Sequence, residues 1–192
     1  MGNSALRSQA LSAPPYLLAF FVVLLSAYLS DRHRNRSFFI FFHALLAASG
    51  YAMIAVAGYL EAGAAWRYAG VFPATVGFFS AITVIITWTL NNQGSASAKG
   101  TGIAMLNFIG QLGPLVGVHL YPDSDGPFYV KGMAICAGFM ASVGALAMGL
   151  RFILAAKNRQ VGGLYSRVEL SDEPMGVDES EEKKAVAFHF IL

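Results

Sequence analysis

Charge is what this chain has least of. Only 12% of its 192 residues are Asp, Glu, Lys or Arg, about half the share of an ordinary soluble domain. Those few are gathered in short connectors and in the segment from Arg151 onward, with long uncharged runs between. Cysteine is nearly missing as well. The single Cys136 stands inside an apolar run, which excludes an intrachain disulfide and leaves the redox compartment unread. A net charge of +2 is too small to suggest nucleic acid, and no basic stripe interleaved with aromatics occurs. His33, His43, His119 and His189 are scattered without a second ligand at helical spacing, so no metal site is expected. No nucleophile–base pair or phosphate-binding loop is present, and neither an enzyme nor a cofactor is expected. What remains is 56% hydrophobic with a mean hydropathy of +0.55, the composition of a chain that lives in a lipid bilayer.

A hydrocarbon core about 30 Å thick takes roughly 17–25 apolar residues of helix to cross. Five segments meet that length without a formal charge: residues 13–29, 37–60, 68–90, 100–120 and 132–150. Each omitted charge matters, because an Arg or Asp at mid-bilayer costs about 2.5–3.5 kcal/mol on insertion scales. The first segment has a rival reading as a signal peptide, with Arg7 as the basic region and residues 16–25 as the apolar one. Against it, the arginines that follow look like a stop-transfer flank and no A-x-A site precedes them. The expected fold is therefore all-α and polytopic. Residues 1–12 form an external segment, 13–155 the transmembrane region, and 156–192 an acidic, disordered tail.

Basic residues set the expected orientation. Arg32, Arg34 and Arg36, then Lys99, then Arg151, Lys157, Arg159 and Arg167 fall on one side; Arg67 and Lys131, with Arg7, fall on the other. The first set should face the cytoplasm, which puts the N-terminus outside and the tail inside. The sequon Asn35–Arg36–Ser37 would then be cytoplasmic and unused.

Anchoring explains the arginines of "YLSDRHRNRSFF" (28–39) but not Asp31, an acid at a helix end that already carries partial negative charge. Asp31 makes sense if it meets an arginine or a helix N-terminus. The stretch resembles the signature loop of the major facilitator superfamily, G-x-x-x-D-R/K-x-G-R-R/K. Asp31, Arg32 and Arg36 match; Ala27, Arg34 and Asn35 depart from it. "ALSAPPY" (10–16), "WTLNNQGSASAKGTGIAMLNFIGQLGPLVGVHLYP" (88–122) and "SDGPFYVKGM" (124–133) sharpen the likeness. Together they look like the C-terminal half of the anion:cation symporters, the largely fungal allantoate and nicotinate permease type. The resemblance implies helices eight to twelve of a twelve-helix transporter that moves small organic anions with protons, by alternating access between two halves. Lys99 fits a basic position of that family, although its usual basic neighbour is replaced by Ala98 or Gly100.

Several residues are candidates for the site. Asn107 and Gln111 are four apart in the fourth span and share one helix face. They read equally well as amides lining a substrate path and as interhelical glue. Gly113 and Pro114 beside them permit close packing and a bend, features of a gate helix and of many static ones. In the third span Phe78 could stack on a flat anion, with plain packing the simpler account. His43, the titratable group well inside a span, suits a relay only if its helix lines the path, and the resemblance puts that helix at the periphery. Trp88 and Tyr121 read as interfacial-belt residues, and Asp31, Arg32 and Arg36 as a latch. The expected partners are the bilayer, a small organic anion and protons, and the missing N-terminal half of the transporter. Alone, the chain is expected to be an inactive fragment. The alternative is a truncated membrane protein that pairs with, and modulates, a full-length transporter.

Overall fold

The computed structural model describes residues 5–170 and 190–191, and among them every regular element is helical. The helices are α1 (Ala5–His33), α2 (Arg36–Tyr59), α3 (Ala64–Asn91), α4 (Ala96–Gly110), α5 (Leu112–Leu120) and α6 (Val130–Leu170), with one 3₁₀ turn at Asp123–Asp125. Five stretches are long and apolar enough to cross a membrane, the fourth being α4 and α5 taken together, Ala96–Leu120. The protein is an all-α, multi-span membrane protein.

Helix α2 is the centre, flanked by α3 and α6, while α1 packs mainly on α3 and also reaches α2. Lipid offers no hydrophobic driving force between helices, so contact depends on how closely two backbones can approach. The α2–α3 seam is accordingly made of small residues. Ala44 and Ala47 are fully buried, and Gly50 and Gly77 sit where a Cβ would lie 2.3 Å from the Ala74 nitrogen and 2.4 Å from the Ala47 nitrogen, respectively. On the other flank, Met140, Ala147 and Leu154 of α6 close over Ile40, Ala44, Val84 and Trp88.

Prolines lie within three spans, Pro14 and Pro15 in α1, Pro73 in α3 and Pro114 in α5, and those of the first and fourth spans are accommodated differently. Pro15 in α1 cannot donate to the Leu11 carbonyl, and the Tyr68 hydroxyl of α3 donates to that carbonyl instead at 2.9 Å. Pro114 cannot donate to the Gly110 carbonyl, and there the helix breaks, with Gln111 as the joint between α4 and α5.

Two boundaries differ from those expected. Helix α1 begins at Ala5, so residues 5–12 are helical, and the apolar span within it begins at Gln9. Helix α6 runs to Leu170, so 156–170 are helical where a disordered tail was expected. Its 41 residues reach about 60 Å, twice the depth of a hydrocarbon core. The i, i+3/i+4 backbone ladder continues past the apolar stretch because nothing between Arg151 and Leu170 breaks it: there is no proline. The acidic part of the tail, 171–189, lies outside the described residues.

Candidate functional site

Three polar centres stand out. The first is the turn between α1 and α2. Arg36, the first residue of α2, donates to the Asp31 carboxylate at the end of α1; the Arg36 side chain is 8% exposed and that of Asp31 is 63% exposed. The arginine is buried and the acid is the partner that reaches in from the surface. Arg32 takes no part and turns along its own helix to the Tyr28 hydroxyl at 3.4 Å. Arg34, where the family's loop has glycine, has φ 49°, the left-handed region in which glycine is unstrained. The turn thus keeps the backbone form of a glycine without having one. From α6, Arg151 donates to the Asn35 side-chain oxygen and, at 3.1 Å, to Ser37 Oγ. Sequence reasoning assigned Arg151 to the positive flank alone; in the fold it ties α6 to the α1–α2 turn. With Asn35 engaged and Ser37 fully buried, the sequon is closed by packing, whichever side of the membrane it faces.

The second centre is buried between α1 and α2. His43 is 5% exposed, with Nε2 at 2.9 Å from Ser26 Oγ and Nδ1 at 2.8 Å from the Phe39 carbonyl. Both ring nitrogens are satisfied inside the bundle. That arrangement is a structural clamp between two spans, the role polar side chains commonly play in membranes.

The third is the α3–α4 face. A small open cleft of about 30 Å³ lies between them, lined by Ile86, Thr89, Leu90, Ile103, Leu106 and Asn107. Asn107 is thus on its wall, with its amide donating to the Ile103 carbonyl at 3.1 Å. Gln111 is exposed one turn further on at the helix joint, and keeps α-type dihedrals of φ −68°, ψ −14°. Gly113 and Pro114 follow it in α5, with nothing within 4 Å of a Cβ at Gly113. Phe78 is two turns of α3 away from the cleft, 38% exposed and edge-on to Phe79, which in turn meets Tyr16 of α1 at 5.5 Å. The structure therefore brings Asn107 to the cleft, leaves Gln111 at its edge, and keeps Phe78 apart. No residue of α4 or α5 is buried. Among the described residues, no three His, Cys, Asp or Glu side chains converge on a point that could hold a metal.

One belt assignment changes. Trp88 is 5% exposed and packs in the α2–α3–α6 core. Tyr121, just beyond α5, places its hydroxyl 3.1 Å from Cys136 Sγ. Burial, and then the thiol contact, push its phenol well above the ordinary value.

The exposed α4–α5 pair thus carries an amide and a proline joint on an otherwise apolar surface. Comparison with known proteins bears on the whole chain. Over its full length the chain is 26% identical to the MFS-type transporter cnsO of Penicillium expansum. It is 27% identical, again over its full length, to the high-affinity nicotinic acid transporter of Saccharomyces cerevisiae. The chain is similar to major-facilitator transporters from end to end. A third relative, the MFS transporter prlL of a fungal species, is 27% identical over 83% of the chain. The chain spans about a third of these transporters, between 32% and 38% of their length. No family model matches it, and no solved structure does.

Proposed function

We propose that this chain is the C-terminal part of a secondary active transporter for small organic anions, of the nicotinate, pantothenate or allantoate kind, coupled to protons and working by alternating access. Its five spans correspond to helices eight to twelve of a major-facilitator transporter in the plasma membrane, with the α1–α2 turn and the end of α6 on the cytoplasmic side. One observation carries the reading: α4 and α5 form a span of which nothing is buried, and that span belongs to a chain similar throughout to transporters about three times its length. A helix so bare is a wall awaiting the opposite half. In the assembled transporter Asn107 and Gln111 donate to the substrate carboxylate, Phe78 lies beside the path, and the Pro114 joint lets the span bend. The buried Arg36 and the exposed Asp31 form a latch that opens and closes at the cytoplasmic end, because only the acid can leave without stranding itself in the bilayer.

The test is a chimera. The upstream part of the yeast nicotinic acid transporter, joined to this chain where the two align, should take up radiolabelled nicotinate faster at pH 5 than at pH 7.5. Asn107→Ala should cut that uptake at unchanged protein level, and the chain alone should give none. A chimera that reaches the plasma membrane yet matches the empty vector refutes the nicotinate reading.

A second reading rests on the same bare face. If the chain exists as such, α4 and α5 supply the surface for pairing with a full-length transporter, and the pair should co-purify. Recovery of the tagged chain without any larger relative opposes it.

A further inference from the structure

The end of the chain returns to the bundle. Phe190 and Ile191, outside any helix, lie across the end of the helices that also carries the α1–α2 turn, and each is read by an asparagine. Asn158 of α6 accepts from the Phe190 N–H at 3.0 Å and donates to the Phe190 carbonyl at 2.9 Å. Asn92, capping α3, accepts from the Ile191 N–H at 2.8 Å and donates to the Ile191 carbonyl at 3.2 Å, and Trp88 Nε1 adds a bond to that carbonyl at 2.7 Å. The Phe190 ring packs on the cluster of Ile40, Val84, Trp88, Ala147 and Leu154, with Lys157 Nζ 6.0 Å from its centroid.

This pattern has a geometric logic. In extended chain the N–H and C=O of one residue point to one side, and those of the next residue to the other. Two carboxamides on opposite flanks can therefore each satisfy one residue completely, as a neighbouring strand would. None of these five hydrogen bonds depends on the side chain at 190 or 191; the apolar pocket alone reads the phenylalanine. We propose that the ends of α2, α3 and α6 form a capture cleft for an extended apolar peptide, that its ligand is this chain's own Phe190–Ile191, and that capture straps α3 to α6. Both helices flank α2, so a strap across them restrains the bundle at the end where the Asp31–Arg36 pair also sits. The inference does not depend on the transport reading.

The test uses the full chain in native membranes, with benzoylphenylalanine at position 190. Irradiation should give intramolecular cross-links that map by mass spectrometry to residues 84–92 of α3 and 147–158 of α6. Ile191→Pro removes the N–H that Asn92 accepts while leaving the helices untouched. Asn92→Ala with Asn158→Ala removes the readers. Ile191→Pro, which loses one ordinary hydrogen bond, should lower the yield about three- to tenfold; the double asparagine variant, which loses four, should lower it further, and an excess of the synthetic peptide VAFHFIL should compete for the cleft. The strap itself is read in a Cys136→Ala background, with spin labels on Gly94→Cys and Arg159→Cys. Phe190→Ala should lengthen and broaden their distance distribution. Cross-links confined to lipid or to a second copy, a yield indifferent to Ile191→Pro, or superimposable distance distributions would each overturn the proposal.

Discussion

Adding one methyl group to the α2–α3 seam should unlock the bundle. At Gly77 a Cβ would stand 2.4 Å from the Ala47 nitrogen and 2.5 Å from the His43 carbonyl oxygen; at Gly50 it would stand 2.3 Å from the Ala74 nitrogen. Ordinary contact begins near 3.4 Å, so the helices would have to part by about 1 Å, forfeiting dispersion contacts along the seam. Overpacking costs about 1–3 kcal/mol where side chains can adjust. Here the obstructing atoms are backbone and cannot rotate away, which puts each alanine at about 3 kcal/mol. Alanine's better helix propensity returns about 0.5–1 kcal/mol, leaving a net loss of about 2 kcal/mol. For a chain of this length that is a fall of about 4–8 °C in Tm. The half-buried Cys136 is the chain's single thiol, so a thiol-reactive dye reports melting in detergent without further labelling. Gly149→Ala is the control, because a Cβ there meets nothing within 4 Å. If Gly50→Ala and Gly77→Ala melt together with Gly149→Ala, the close approach of α2 and α3 is refuted, and with it the account of how the bundle is held.

Three further outcomes are expected. Asp31→Ala should destabilise the chain more than Arg36→Leu does. The first leaves a buried guanidinium without its carboxylate, at about 1–3 kcal/mol, whereas the second frees an acid already at the surface; equal melting points would count against a buried Arg36. Pro114→Ala should restore the N–H that bonds the Gly110 carbonyl and fuse α4 with α5, seen as slowed amide exchange over residues 111–115. The Tyr121 phenol, raised by burial and by Cys136 above its ordinary 10.0, holds its proton more tightly folded than unfolded. Its contribution to stability is therefore complete below about pH 10 and lost as pH climbs beyond it, and Tyr121→Phe should flatten the stability profile in that range. A profile unchanged by the substitution would place Tyr121 in water.

Much about this protein is decided by local composition. Uncharged runs of bilayer length dictate helices, because lipid satisfies no backbone group, and so the all-α, five-span architecture is legible without coordinates. The Asp31–Arg36 pair is legible too, since both lie within one turn-sized segment. So is the weakness at Pro114, where a missing N–H must act on its own helix. What required the tertiary structure is everything that joins residues far apart in sequence. Trp88 and Asn92 look like ordinary span-end residues, and Asn158 like part of a solvated tail; only the packing of α3 and α6 on either side of α2 sets them around Phe190 and Ile191. Arg151 carries no sign of Asn35 and Ser37, 116 and 114 residues away. Nor does the spacing of Gly50 and Gly77 say which backbone each admits. Helices are specified within a few residues, by hydrogen bonds to near neighbours. Their partners are specified by shape, and shape exists only once the bundle has formed.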